Sequence, residues 1–216
     1  MKQFGGWMFP DHEVHLLEWL SHPKNIGDVV DGRTMYQGKK QRLAIDHCRN
    51  FRVAIDCGAH CGTWSWTLAK HFDVVHAFEP VADHRECFAV NVPAPNVILY
   101  PCALGDREGS ISMHTSTGSS GDSWVKGEGD IPMHRIDSYG FSDVDLIKID
   151  CEGGELPVLR GAEETLLRCQ PVVIVEQKPG HAQRFGFGET AAVDYLQSLG
   201  ATLKARKAGD FVLAWD

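Results

Sequence analysis

The segment Asp56-Cys57-Gly58-Ala59-His60-Cys61-Gly62 places a carboxylate and two glycines, spaced D-x-G-x-x-x-G, between an apolar run and an amphipathic one. Glycines there let the backbone turn tightly and approach a ligand closely. A second apolar run ends in Glu79-Pro80, with Glu79 21 positions after Gly58, where a carboxylate can accept hydrogen bonds from ribose hydroxyls. After a third run, Cys102, Ala103 and Leu104 fall where a purine ring can pack. A fourth run ends in Lys148-Ile149-Asp150-Cys151-Glu152 and a fifth in Glu176. Singly, each piece also reads as turn chemistry or a solvated strand end. In order, on successive strand-to-helix junctions, they point to a nucleoside-bearing ligand.

A dinucleotide fingerprint G-x-G-x-x-G would need glycine at positions 60 and 63, which are His60 and Thr63. S-adenosylmethionine has no phosphate and carries a sulfonium cation, so a glycine loop beginning with Asp56 suits it better than a pure anion cradle. The candidate contacts to this cofactor, or to its product S-adenosylhomocysteine, are Asp56, Gly58, Ala59, His60, Gly62, Thr63, Trp64, Glu79, Pro80, Val81, Cys102, Ala103, Leu104 and Asp150. Tyr36 and Gln37 are further candidates at the methionine end, with ordinary loop packing as the alternative.

These residues need elements to position them. Apolar runs of strand length at 52–57, 74–79, 96–103, 144–150 and 171–176 alternate with helical patterns at 63–71, 81–91, 155–169 and 189–199. That alternation predicts βαβ units around a parallel sheet. Residues 201–207 and 211–215 are separated too briefly for a parallel crossover, so the sheet should end in an antiparallel hairpin. Residues 1–50 read as a helical segment packed on the core, with helices at 11–20, on a stripe of Val14, Leu17 and Trp19, and at 37–48. The catalytic domain spans 51–216, with a polar insertion at 105–143 and short strands near 110–115 and 131–134.

Methyl transfer is an in-line displacement at carbon, and any protic acceptor, a hydroxyl included, calls for a group that orients or removes its proton. Strand alternation puts Leu146, Lys148 and Asp150 on one face, and the catalytic candidates are Asp150, Lys148, Glu152 and Glu176. A buried Lys148 needs a partner, for which Asp150 or Glu176 is available; a purely structural ion pair is the alternative. Asp150, Glu152, Glu155, Glu176 and His181 also offer oxygen and nitrogen ligands for a divalent cation that would hold a diol, but no compact ligand motif supports it and a metal is not favoured. His114, Ser119, Ser120, Asp122 and Trp124 in the insertion either line the acceptor pocket or form a flexible Ser/Gly loop.

The strings AIDCGAHCGTWSWTLA, HAFEPV, NVILYPCALGD, DLIKIDCEGGELPVLRGAEETL and PVVIVE, spanning residues 53 to 176, resemble successive motifs of the FkbM-type methyltransferase family. The resemblance implies a Rossmann-like class I methyltransferase fold, α/β with seven strands and helices on both faces. It also implies adenosylmethionine as donor and an oxygen nucleophile as acceptor. His60 stands where the family often has Asn. The front and closing segments match less clearly, so the acceptor does not transfer.

Among 216 residues, 29 acidic side chains outnumber 21 basic ones, for a formal charge of -8. Broad contact with a phosphate backbone is therefore disfavoured. No run approaches a membrane-spanning length or a secretion signal. Seven cysteines without C-x-x-C pairing fit a reducing cytoplasm. The expected acceptor is a hydroxyl on a glycan or small metabolite. RNA ribose methylation is the alternative: Asp150 and Lys178 follow consecutive strands and Lys39 and Lys40 precede the first, but a late-strand glutamate to complete a Lys-Asp-Lys-Glu set is missing. A non-enzymatic nucleoside- or NAD-binding protein on the same fold is a third reading. The oligomeric state is not encoded in these patterns.

Overall fold

The computed structural model describes residues 1–22 and 28–216. In chain order, a hairpin of β1 (Lys2–Phe4) and β2 (Trp7–Phe9) precedes α1 (His15–Ser21). A second small hairpin, β3 (Val29–Val30) and β4 (Arg33–Thr34), leads to α2 (Gly38–Ile45). The alternating core follows: β5 (Val53–Cys57), α3 (Thr63–Leu68), β6 (Val74–Phe78), α4 (Ala82–Asn91), β7 (Val97–Tyr100) and β8 (Ala103–Leu104). The insertion contributes β9 (Gly109–Ser116) and β10 (Ser119–His134). The chain closes with β11 (Val144–Ile149), α5 (Glu155–Arg160), α6 (Glu163–Cys169), β12 (Val172–Glu176), α7 (Ala191–Ser198), β13 (Thr202–Lys207) and β14 (Asp210–Ala214).

Seven strands form the main sheet in the order β13-β14-β12-β11-β5-β6-β7. Pairing is parallel from β12 through β7 and antiparallel at β14 and β13, as the short connection requires. The two central strands β11 and β12 are buried at every position, which explains their unbroken apolar runs. Alternation sends Ile55, Ile147 and Val173 into a core with Leu159, Leu166 and Leu196 from α5, α6 and α7. It sends Ala54, Leu146 and Ile174 to the opposite face, against Ala44 of α2 and Leu68 of α3. Helices therefore cover both faces, and the expected class I topology is present.

Five expectations change in detail, the last of them in the insertion. The front segment is not purely helical: besides α1 and α2 it holds two hairpins, and part of it, 23–27, lies outside the described residues. α1 starts later than residue 11, because the Glu13 carboxylate accepts from the Leu16 N–H at 2.7 Å and sets the helix start. Its buried face is then Leu16 and Leu20, while Val14 is 47% exposed. The third long strand stops at Tyr100 because Pro101 has no N–H to donate, and Ala103–Leu104 pairs instead with Met133 and His134 of the insertion. The helical pattern at 155–169 breaks into α5 and α6 at Gly161, where a Cβ would lie 1.9 Å from the Gly105 carbonyl oxygen. Close backbone approach, invisible to periodicity, decides that break.

The insertion is a long, bulged antiparallel hairpin turning at Gly118 rather than a loop with short strands. Its tip is tied to the front of α1: Val14 and His15 N–H groups both donate to the Gly118 carbonyl at 3.0 Å, and Ser120 N–H donates to Glu13 Oε2 at 2.6 Å. The front segment and the insertion thus meet across the carboxyl edge of the sheet.

Candidate functional site

The carboxyl ends of β5, β6 and β11, the segment after β7, the insertion tip and the front of α1 enclose a cavity of about 430 Å³. That falls within the roughly 300 to 1,000 Å³ of small-molecule sites. Of the residues expected at the cofactor, Tyr36, Gly58, Ala59, His60, Thr63, Trp64, Glu79, Pro80, Cys102, Ala103, Leu104 and Asp150 line it. Gln37, Asp56, Gly62 and Val81 do not. Gln37 instead accepts from the Trp64 indole N–H at 2.9 Å and donates to the Tyr36 hydroxyl at 3.1 Å, which steadies two residues that do face the cavity.

Both glycines of the loop have a packing reason. Gly58 has φ +74°, and a Cβ there would stand 2.0 Å from the Asp150 carbonyl oxygen. Gly62 has φ +88°, and its Cβ would meet Val92 at 2.4 Å. Because the Gly58 clash is with backbone, Gly58→Ala is expected to destabilise the fold by about 2 to 4 kcal/mol, read as a lowered denaturation midpoint. A variant as stable as the parent would show that the β5 loop can move away from β11.

Glu79 is 4% exposed and well supplied with donors. Its Oε2 accepts from His60 N–H at 2.8 Å; its Oε1 accepts from Val81 N–H at 2.8 Å and pairs with His84 Nδ1 at 3.1 Å. A carboxylate offers about four acceptor positions, so a lone pair on Oε2 stays available for a ligand hydroxyl. Val81 thereby acts through its backbone on Glu79 instead of lining the cavity.

Asp56 is wholly buried and does not line the cavity: Ser65 Oγ donates to its Oδ2 at 2.7 Å, and Lys148 Nζ forms an ion pair 3.1 Å from its Oδ1, out of hydrogen-bond line. It therefore does not face a sulfonium. The partner expected for Lys148 was Asp150 or Glu176; the structure supplies Asp56 from the strand on the other side. Parallel register explains this, since Lys148 of β11 stands directly opposite Asp56 of β5 and opposite Ile174 of β12. The ammonium also donates to the carbonyls of Gly58 at 2.6 Å and Cys57 at 3.2 Å. Burial works against its charge, but Asp56 and Asp150 outweigh that and hold the amine protonated.

Beside the glycine loop runs a chain of alternating basic and acidic side chains. Lys178 Nζ bridges Glu152 at 2.9 Å and Glu176 at 2.6 Å; Lys40 reaches Glu176 at 3.6 Å and pairs closely with Asp210. Asp150, Glu152 and Lys178 line the cavity, whereas Glu176, Lys40 and Asp210 lie behind it. Burial opposes ionisation of Asp150, yet Lys148 and Lys178 overcome it and hold the carboxyl at about 2. Its neighbours move the other way: burial and the Asp150 charge push Glu152 up to about 7 and Glu176 up to about 9. Asp210 occupies a late-strand acidic position opposite Glu176, so the sequence lacks the glutamate of a Lys-Asp-Lys-Glu set but not a carboxylate there. Because Lys40 and Asp210 do not line the cavity, no such set is completed within it. Glu155 is also absent from the cluster; it accepts the Cys151 and Gly153 N–H groups and fixes the loop that leads into α5.

Sequence reasoning missed Glu13, His84 and the role of Ser120. The buried Glu13 carboxylate takes the Ser120 N–H and hydroxyl, and Ser120 Oγ lies 2.7 Å from His60 Nε2. Since the serine proton goes to Glu13, the imidazole must donate through Nε2; burial and the nearby His84 hold His60 neutral. The only signal in the sequence was an acidic residue ahead of a helix. Of the insertion candidates, Ser119, Ser120 and Asp122 line the cavity, joined by His181 from beyond β12, while His114 and Trp124 pack on each other at 5.1 Å.

Residues 56–203 match the family described as the methyltransferase FkbM domain. Among solved structures, a methyltransferase FkbM from Methylobacillus flagellatus shares 18% identity over 77% of this chain, with a TM-score of 0.49, and this chain spans only 44% of its length. The precorrin-6y C5,15-methyltransferase of Geobacter metallireducens shares 13% identity, covering 90% of this chain and 96% of its own, with a TM-score of 0.50. A Streptococcus mutans protein described as a methyltransferase, solved in complex with SAH, shares 10% identity over 82% of this chain and 94% of its own, with a TM-score of 0.53. At these identities the likeness is one of fold. No curated protein matches the chain.

Proposed function

Because the chain belongs to the FkbM methyltransferase family, we propose that it transfers a methyl group from S-adenosylmethionine to a hydroxyl of an uncharged glycan or polyhydroxylated small molecule. The observation that carries the acceptor class is the charge lining the cavity. Its two lysines, Lys148 and Lys178, are both committed to carboxylates, while Glu79, Asp122, Asp150 and Glu152 face the same space. An anionic acceptor would find no uncommitted lysine or arginine among the described lining residues. A neutral acceptor meets carboxylates able to accept its hydroxyl hydrogens.

The residues fit the cofactor. Glu79 Oε2 has the lone pair a ribose hydroxyl needs, the Gly58–His60 backbone is close by, and Cys102, Ala103 and Leu104 give the purine an apolar wall. The carboxylate-rich cavity suits a cation. Adenosylmethionine supplies, when bound, an electrophilic methyl on its sulfonium. Asp150 is ionised and accepts the acceptor's hydroxyl hydrogen, orienting an oxygen lone pair for in-line attack. Lys148 acts at one remove, keeping Asp150 ionised and the Gly58 loop in place. The front segment and insertion tip, joined by Glu13 and Ser120, exclude water from that side.

Glu79→Ala removes a ligand acceptor and the anchor of the His60 and Val81 N–H groups. Adenosylhomocysteine should bind about 10- to 100-fold more weakly, as expected for one charge-assisted hydrogen bond of roughly 1.5 to 3 kcal/mol. Unchanged affinity in calorimetry would remove Glu79 from the ribose.

The acceptor assignment is tested by adenosylhomocysteine release with neutral glycans and polyols, their phosphorylated counterparts, and RNA. Turnover confined to the neutral set is expected. Preference for phosphorylated acceptors or RNA would overturn the acceptor class while leaving the donor. No helix among the described residues is long and apolar enough to cross a membrane, and all seven cysteines are free thiols, consistent with the cytoplasm as the proposed compartment.

A further inference from the structure

We propose that Asp122, Glu152 and His181 form a divalent-cation site on the acceptor side of the cavity, holding two neighbouring hydroxyls of the acceptor; this rests on the hydroxyl-methylation reading above. The three side chains come from separate places in the chain: β10, the loop after β11 and the loop after β12. One donor atom from each lies within 4.8 Å of the other two. Ligands on opposite sides of one ion stand about twice a bond length apart, roughly 4.0 to 5.2 Å for bonds of about 2.0 to 2.6 Å, so one ion can reach all three.

An independent observation points to a ligand there. Glu152 is 7% exposed, and its Oε2 has no hydrogen-bond donor among the described residues. His181 Nδ1 lies only 2.7 Å from that oxygen, yet out of hydrogen-bond line, and it too is without a hydrogen bond. Two buried polar atoms this close and not aimed at each other are relieved by a third, positive centre that both can face; unsatisfied buried groups otherwise cost stability. The carboxylate is already oriented for this, because Lys178 holds Glu152 Oε1 at 2.9 Å and leaves Oε2 as the ligand atom.

The lysines nearby are taken by other oxygens: Lys178 by Glu152 Oε1 and Glu176, Lys40 by Asp210 and Lys148 by Asp56, so no ammonium pairs with Asp122 or with Glu152 Oε2 among the described residues. Two carboxylates and an imidazole suit a first-row ion such as Mn²⁺. Three protein ligands leave coordination positions for a pair of acceptor hydroxyls. Asp150, outside this ligand set, keeps its place as proton acceptor.

The test is titration of Mn²⁺ into the metal-stripped full chain, followed by loss of the free-ion electron paramagnetic resonance signal, with no cofactor or acceptor present. One Mn²⁺ per chain is expected, bound at least ten-fold more weakly by Asp122→Asn and by His181→Ala and unchanged by the exposed control Glu128→Gln. Asp122 and His181 are not buried, so both variants should fold where Glu152→Gln, in the interior, need not. Absence of a saturable site, or equal affinity in wild type and both variants, would overturn the proposal. Because the readout needs no turnover, a chain that binds Mn²⁺ at these residues but methylates only phosphorylated acceptors would refute the acceptor reading alone.

Discussion

Asp150→Asn is expected to lower turnover on the order of 100-fold or more, about 2.7 kcal/mol in the barrier, while adenosylhomocysteine affinity changes little. Asp150 stands just past β11, in the strand order next to β5, and lines the cavity. Lys148 and Lys178 keep it ionised, so at neutral pH it presents an acceptor and not a donor. Low proton affinity does not disqualify it. A hydroxyl proton becomes strongly acidic as its oxygen gains a third bond, and a weakly basic carboxylate still takes it. The amide of Asn keeps the size, loses the charge and offers one acceptor oxygen. Adenosylhomocysteine lacks the methyl and the positive charge, so its affinity reports folding and nucleoside contacts separately. Near-normal turnover at saturating cofactor, with a true acceptor, would move the proton to another group. A loss of affinity equal to the loss of rate would place Asp150 in the binding shell.

Lys148→Met is expected to destabilise the protein by about 3 to 5 kcal/mol, because it leaves a wholly buried carboxylate without its counter-ion. For a chain of this length that lowers the midpoint of thermal unfolding by roughly 6 to 20 °C. Asp56 would retain only the Ser65 hydroxyl, and the carbonyls of Cys57 and Gly58 would lose their donor. The double variant Asp56→Asn with Lys148→Met should recover part of the loss, since neither charge is then stranded. A single variant within about 1 kcal/mol of wild type would mean that water reaches Asp56. Distinguishing the two variants matters: Asp150→Asn should be slow but stable, Lys148→Met unstable first.

The parallel core was legible because its strands are buried on both faces, and continuous runs such as VDLIKI and VVIVE need no partner to be recognised. Much of the cavity lining was legible for the same reason: Gly58–His60, Glu79 and Cys102–Leu104 follow those strands at fixed offsets. What failed was anything decided by contact across the chain. Asp56 looked like a ligand by position, but register places Lys148 opposite it and withdraws it into the core. The break at Gly161 depends on the Gly105 carbonyl, and the departure of Ala103–Leu104 from the main sheet depends on the insertion strand beside it. Glu13 gains its role only when the insertion tip folds back over α1, and Asp122, read as one of several pocket candidates, meets Glu152 and His181 only in three dimensions. Local pattern carries periodicity and turn chemistry; side-chain partnership between distant segments has no such signature.

The most direct measurement is calorimetric titration of the purified chain with S-adenosylmethionine, S-adenosylhomocysteine and NAD in parallel. One site per chain for the first two ligands is expected, weakened by Glu79→Ala but retained in Asp150→Asn, with no saturable heat for NAD. Binding of NAD in preference to adenosylmethionine, or adenosylmethionine binding indifferent to Glu79, would contradict the assignment of this cavity to the methyl donor.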